Sequence, residues 1–227
     1  GPENNSQHLQ EVGPKALFDD NIRKQLAQIL DGLKNDVNVV FFTQEIECES
    51  CHDAHQFIEE ICELNPKLKM TRYNLVTDAE KAAEYKIEMV PAVVMLDQDG
   101  NDTNIRFFGI PGGYEINSFL GALLEVSGER QELPADILKR IQKIDKDIHI
   151  QVFVTLSCPH CPGAVITAHR LALENPRIKA DMIEANTFVP LSIKYNVSGV
   201  PKIVINGEHE LLGDQPITAF LDVIEKI

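Results

Sequence analysis

Val152-Phe-Val-Thr-Leu-Ser-Cys-Pro-His-Cys161 joins a β-branched and aromatic run to two cysteines separated by two residues. Val39-Val-Phe-Phe-Thr-Gln-Glu-Ile-Glu-Cys-Glu-Ser-Cys51 does the same earlier in the chain. An offset of 110 carries Cys48, Cys51, Ala54, Tyr85, Val90 and Pro91 onto Cys158, Cys161, Ala164, Tyr195, Val200 and Pro201. A fixed register across two CxxC pairs, two tyrosines and two Val-Pro pairs marks a duplicated unit. The polar stretch Ser127-Gly-Glu-Arg-Gln-Glu-Leu-Pro134 separates the copies. The units are placed at residues 16–128 and 129–227. Residues 1–15 are read as a flexible leader beginning with a tag-cleavage scar, Gly1-Pro2.

Both halves predict the same order of elements. In the first, Asn21 to Leu33 has helical apolar spacing, Val37 to Thr43 reads as a strand, and Cys48 to Leu64 as a helix. Strand Leu68 to Leu75 and helix Ala79 to Tyr85 follow. Strands Val93 to Leu96 and Ile105 to Phe108 flank a turn at Asp97-Gln-Asp-Gly100, and helix Ile116 to Leu124 closes the unit. The second half predicts helix Ala135 to Ile144, strand Ile148 to Thr155, helix Cys158 to Leu173 and strand Ile178 to Glu184. A short helix near Leu191 to Tyr195, strands Lys202 to Ile205 and Glu208 to Leu212, and helix Ile217 to Ile227 complete it. The fold class is α/β: two tandem units, each a central mixed β-sheet flanked by helices.

Composition narrows the function. The chain has 227 residues, 44% hydrophobic and 25% charged, as in a globular protein. Thirty-five acidic residues against 21 basic ones give a net charge of -14, which disfavours nucleic acid and anionic membranes as partners. No apolar run approaches the ~20 residues of a membrane helix. Residues 3–14 contain no apolar run of the secretory type, and a cytoplasmic protein is expected. Five cysteines are too few for a disulfide-stapled scaffold of this length.

Each CxxC lies where a strand gives way to a helix. The unpaired N–H groups and partial positive charge of a helix N-terminus stabilise a thiolate there. The second cysteine, one turn on, is positioned to attack the first sulfur, so each pair makes a reversible dithiol/disulfide switch. Structural zinc would need the two pairs closer in sequence than they are, usually ~15–20 residues apart. Cys48-Glu-Ser-Cys51-His52 matches the c-type haem pattern, but the second copy continues with Pro162. No bound metal or flavin is expected; the cysteine pairs are themselves the redox groups. Cys62 falls on the apolar side of a helix and reads as a small core residue. His52 and His55 read as solvated helix residues.

Strand, CxxC, helix, then Val-Pro before a hairpin some forty residues on resembles the thioredoxin fold. Two such units with both CxxC pairs, both Val-Pro pairs and Gly109-Ile-Pro-Gly-Gly-Tyr-Glu115 resemble the glutaredoxin-like protein disulfide oxidoreductases. Asn175-Pro-Arg-Ile-Lys179 and Gly199-Val-Pro201, with Ile205-Asn-Gly207, are also similar to the N-terminal domain of the alkyl hydroperoxide reductase flavoprotein subunit. The resemblance implies attacking thiols at Cys48 and Cys158 and resolving thiols at Cys51 and Cys161. It implies cis peptide bonds before Pro91 and Pro201, with the backbone of Val90 and Val200 pairing with substrate. Thioredoxins themselves carry a tryptophan before the CxxC and a buried Asp six residues before its first cysteine. This chain has no Trp, and Phe42 and Val152 stand at the Asp position. Glu115 matches an acid that sits near the second pair in both families, which makes it the expected proton acceptor for Cys161.

The expected activity is thiol–disulfide exchange with disulfide-containing proteins, with electrons from a thioredoxin-reductase-like flavoprotein. Two alternatives are a dedicated electron carrier to a peroxiredoxin and a non-enzymatic scaffold of thioredoxin folds. The two dipeptides predict unequal sites. His160 adds positive charge beside Cys158, whereas Glu49 opposes the helix dipole beside Cys48. The second pair is therefore expected to be the more oxidising, by roughly 30–60 mV.

Overall fold

The computed structural model describes residues 16–227. The leader and tag scar expected at residues 1–15 lie outside the described residues. In the first half, α1 (Asp20–Leu30) leads to β1 (Val37–Thr43), α2 (Cys51–Cys62), β2 (Leu68–Asn74) and α3 (Ala79–Tyr85). The hairpin of β3 (Ala92–Leu96) and β4 (Asp102–Phe108), a 3-10 turn (Gly113–Glu115) and α4 (Ile116–Ser127) follow. The second half repeats the order: α5 (Ala135–Gln142), β5 (Ile148–Val154), α6 (Cys161–Glu174), β6 (Ile178–Glu184), α7 (Val189–Lys194), β7 (Lys202–Ile205), β8 (His209–Leu212) and α8 (Ile217–Ile224).

The two predicted sheets are one. Strand order is β2-β1-β3-β4-β6-β5-β7-β8, because β4 of the first unit pairs in parallel with β6 of the second. Ile105, Arg106, Phe107 and Phe108 lie opposite Ala180, Asp181, Met182 and Ile183. A continuous core under α1, α2, α4, α5, α6 and α8 runs across both units, holding Phe41, Ile58, Phe107 and Phe119 beside Val152, Val165, Met182 and Phe220. A smaller core under α3 and α7 packs Phe42, Phe108, Phe153 and Phe188.

The face under the short helices is polar at its centre. Arg106, Asp181 and Gln151 lie side by side across β4, β6 and β5, all buried. Arg106 donates to both carboxylate oxygens of Asp102 at 2.8 and 2.7 Å and to the Tyr85 carbonyl at the end of α3. Lys202 donates likewise to the Tyr195 carbonyl at the end of α7. A cation thus meets the unpaired carbonyls, and the negative end of the dipole, at both helix ends.

Helix boundaries need correction, and the repeat changes register ahead of the cysteines. Both helices expected to start at Cys48 and Cys158 start at Cys51 and Cys161, with Ser50 and His160 as their N-caps. The first cysteine of each pair therefore sits in the turn before the helix. Ahead of the cysteines the repeat offset is 111, since β1 starts at Val37 and β5 at Ile148. The first unit's loop holds one extra residue, and Glu47 in it adopts a left-handed backbone, φ 60°. Phe42 therefore corresponds to Phe153, and the two rings lie against Tyr85 and Tyr195 respectively. Finally, α8 ends at Ile224, short of the chain end.

Gly109 leaves β4 with φ +105°, and a Cβ there would lie 2.5 Å from the Cβ of Glu184. Glu184 in turn accepts the Ile110 N–H at 3.0 Å, tying the end of β4 to the end of β6. Gly109→Ala is expected to lower stability by about 2 kcal/mol or more through backbone strain and overlap. The urea midpoint measures this; an unchanged midpoint would mean that the joint does not depend on glycine.

Candidate functional site

Strands β1, β4, β6 and β5 all run in one direction, as two antiparallel pairings relate β1 to β4 and the remainder are parallel. Both cysteine pairs follow the C-terminal ends of parallel strands and so occupy the same edge of the sheet. Between β1 and β5 lie β3, β4 and β6. Four interstrand steps of about 4.8 Å put the strands that lead to the two pairs about 19 Å apart. Two pairs so separated cannot share one zinc ion, whose Zn–S bonds are about 2.3 Å.

In the first pair, Cys48 and Cys51 are joined by a disulfide. Cys48 is half-buried and Cys51 is buried at the start of α2. Both line a polar groove of about 610 Å³, with Glu45, His52, His55 and Arg72 on its walls. His52 is exposed as expected, but His55 is not simply solvated. It stacks on Phe41 with ring centroids 5.6 Å apart and pairs with Glu59 at 3.2 Å. Burial lowers its pKa.

The second pair is in the dithiol state. Cys158 retains 9% of its surface and Cys161 none, so the thiol expected to be exposed shows only an edge. The Cys158 thiol donates to the Val200 carbonyl across 3.9 Å. Burial pushes the Cys161 thiol up, and a hydrogen bond with Cys158 pushes the same way. His160, between them, is exposed.

Pro91 and Pro201 both follow cis peptide bonds. Each proline is buried, with Val90 and Val200 before it half-buried. The Pro91 carbonyl accepts the Gly109 N–H and the Pro201 carbonyl the Gly213 N–H, both at 2.9 Å, so the two loops are held alike.

The first unit reaches into the second site. Tyr114 N–H donates to the Leu156 carbonyl, two residues before Cys158, at 2.9 Å. A Cβ on Gly113, where φ is +54°, would lie 2.4 Å from that same oxygen. This close approach seats Glu115 behind the second pair. Glu115 is fully buried. Its Oε1 accepts the Ser118 hydroxyl at 2.7 Å, while Oε2 has no hydrogen-bond partner. Burial pushes its pKa up to about 7, against the opposing Ser118 hydrogen bond. Its charge acts on the Cys161 thiol and raises it further. The structure thus brings together Cys158, Cys161, Val200 and Glu115 at the second site. Asp181, with an unpartnered buried Oδ1, and buried His169 were not singled out from sequence. Their polarity becomes meaningful only once β4 and β6 are paired.

Comparison with known proteins follows the same lines. The thioredoxin-domain family model matches residues 148–226. The structure is similar to the N-terminal domain of the alkyl hydroperoxide reductase protein AhpF from Enterococcus faecalis, with a TM-score of 0.85 and 32% identity over 91% of this chain and 99% of that one. It is also similar to a protein disulfide oxidoreductase from Aeropyrum pernix, with a TM-score of 0.84 and 30% identity over 91% and 92% of the two chains. Among curated sequences, the F subunit of alkyl hydroperoxide reductase in Staphylococcus aureus is 27% identical over 85% of this chain and 34% of its own length. A Bacillus subtilis protein named NADH dehydrogenase is 26% identical over 85% and 35%. The chain spans about a third of the length of these curated relatives.

Burial also pushes the Cys62 thiol up to about 12. In the native, fully reduced protein at pH 7, iodoacetamide is expected to label Cys48 and Cys158 well before Cys62 and Cys161. Peptide mass mapping reads the order; earlier labelling of Cys161 or Cys62 would reverse the assignment of attacking and resolving thiols.

Proposed function

The chain belongs to the tandem thioredoxin-fold family that includes protein disulfide oxidoreductase and the N-terminal domain of AhpF, and from that premise we propose that it exchanges disulfides with proteins through both CxxC pairs. The observation that carries the reading is a buried carboxyl group with an unpartnered Oε2, Glu115, near enough to the buried Cys161 thiol for its charge to act on it. The exposed edge of Cys158 attacks a substrate disulfide as thiolate, displacing one substrate sulfur and forming a mixed disulfide. The half-buried Val200 backbone pairs with the substrate strand. Cys161 then yields its proton to the Glu115 carboxylate and attacks the Cys158 sulfur. The second substrate sulfur leaves, and Cys158–Cys161 becomes the disulfide. A carboxyl group titrating near 7 is suited to take up and return that proton. His160 supports the Cys158 thiolate when protonated. Cys48 and Cys51 are proposed to play the same parts at the first site, with the Val90 backbone before cis-Pro91 pairing with substrate.

In this reading the dithiols carry the electrons, and the exchange calls for no metal or flavin in this chain. A thioredoxin-reductase-like flavoprotein is the proposed reductant and the cytoplasm the proposed compartment; no helix among the described residues is long and apolar enough to cross a membrane. A second reading, electron delivery to a peroxiredoxin, is favoured by the similarity to AhpF and its curated relatives. Peroxide turnover in the presence of a peroxiredoxin separates the two. A scaffold without redox activity would fail both this assay and insulin reduction.

Cys158→Ser is expected to remove most insulin reduction, while Cys48→Ser leaves much of it. Equal losses would refute a dominant second site.

Glu115 also makes a pH prediction. Its folded pKa, about 7, lies above the ordinary carboxyl value of 4.5. The folded protein therefore binds this proton more tightly than the unfolded chain, and the resulting stability is complete below pH 4.5 and lost as pH rises through 7. Relative to Glu115→Gln, the reduced wild type is expected to lose about 3 kcal/mol between about pH 4.5 and 8. Parallel stability profiles for the two proteins would contradict the raised carboxyl.

A further inference from the structure

We propose that the two dithiols are separate ports within one molecule, and that electrons pass between them only through a second copy of the chain. The inference rests on thiol–disulfide exchange at both pairs and adds the route between them.

Three observations carry it. First, β3, β4 and β6 lie between the strands that lead to the two pairs, a span of about 19 Å at the sheet. Exchange requires a sulfur to reach bonding distance of another, near ~2 Å. Second, the span is rigid. The β4–β6 pairing joins the halves in register over four residue pairs, and one apolar core runs beneath both. Tyr114 N–H on the Leu156 carbonyl and Ile110 N–H on Glu184 clamp the joint at the active-site edge itself. Third, neither cysteine-bearing segment is free to swing. Cys51 begins α2, which is anchored by buried Ala54, Ile58 and Ile61. Cys161 begins α6, anchored by buried Ala164, Val165 and Ala168. The three residues that tie Cys48 to Cys51 at the anchored start of α2 reach at most ~11 Å fully extended, short of the span to Cys158.

Each port is nevertheless open to a partner from outside. Cys48 is half-buried and lines the polar groove of the first site, while Cys158 presents its edge on the same margin of the sheet. In the intermolecular step, the Cys48 thiolate of a reduced first port attacks Cys158 in the Cys158–Cys161 disulfide of another copy. Cys161 leaves and is protonated. Cys51, losing its proton, then attacks Cys48, and Cys158 leaves and is protonated in turn. Two electrons and two protons have moved; one Cys48–Cys51 disulfide has formed and one Cys158–Cys161 disulfide has been reduced.

Rapid mixing of the fully oxidised chain with one equivalent of dithiothreitol, acid quenching and site-specific mass labelling follow the redistribution of thiols between the pairs. A tenfold rise in protein concentration is expected to shorten the redistribution half-time tenfold. A mixture of reduced Cys158→Ser/Cys161→Ser protein with oxidised Cys48→Ser/Cys51→Ser protein is expected to exchange with the second-order rate constant of the intact chain. A half-time independent of concentration, or an intact chain much faster than the mixture, would overturn the proposal. Absence of exchange in the mixture would overturn the second-copy route. Insulin reduction by the intact chain keeps the two readings apart: its loss marks failure of exchange chemistry itself, and its persistence with a concentration-independent half-time marks failure of this inference alone.

Discussion

The parallel pairing of β4 with β6 is the interaction on which the rest of the molecule depends. It places Arg106 opposite Asp181 and joins two four-stranded sheets into one. It also sets the segment after β4 against the loop before Cys158, through the Tyr114–Leu156 hydrogen bond. Without that pairing Glu115 would be an ordinary carboxylate at the start of a helix. With it, Glu115 is buried behind another unit's cysteines, and burial keeps its proton to about pH 7. The chemistry of the second site is thus partly built by the first unit.

This dependence makes the two sites unequal in a way the dipeptides alone do not. The copies are related by repetition along the sheet, so the first unit contributes a loop to the second. The corresponding segment after β8 follows the last strand in the sheet order and has no third unit to enter among the described residues. Glu49 and His160 are local to their own cysteine pairs. The buried acid acts through the fold, and its effect belongs to the assembled tandem rather than to either half.

Much of the architecture was legible in the sequence because it is written locally. Alternating and β-branched runs located the strands, the Asp97–Gly100 turn located a hairpin, and the offset between cysteine pairs exposed the duplication. Helix starts were misplaced by three residues because apolar periodicity does not register a cap: Ser50 and His160 close the turn, and regular helix begins only at the second cysteine. The change of offset before Cys48 was hidden because Glu47 takes up the extra residue in a left-handed turn that no neighbouring Gly announced. The edge-to-edge joining of the sheets left no local signal. Neither did the polar row of Arg106, Asp181 and Gln151, whose burial follows from strand neighbours far apart in sequence. The cysteines, the prolines and Glu115 could be named beforehand through family resemblance; why Glu115 holds its proton could be stated only once its surroundings were known.

Covalent capture addresses the central claim most directly. With Cys161→Ser the resolving step is removed, so attack by Cys158 on a protein disulfide should stop at the mixed disulfide. Incubation of the reduced variant with a disulfide-containing protein such as insulin, followed by non-reducing mass analysis, is predicted to yield an adduct through Cys158 that dithiothreitol releases. Absence of that adduct, with Cys158 free and alkylatable throughout, would contradict exchange chemistry at the second site.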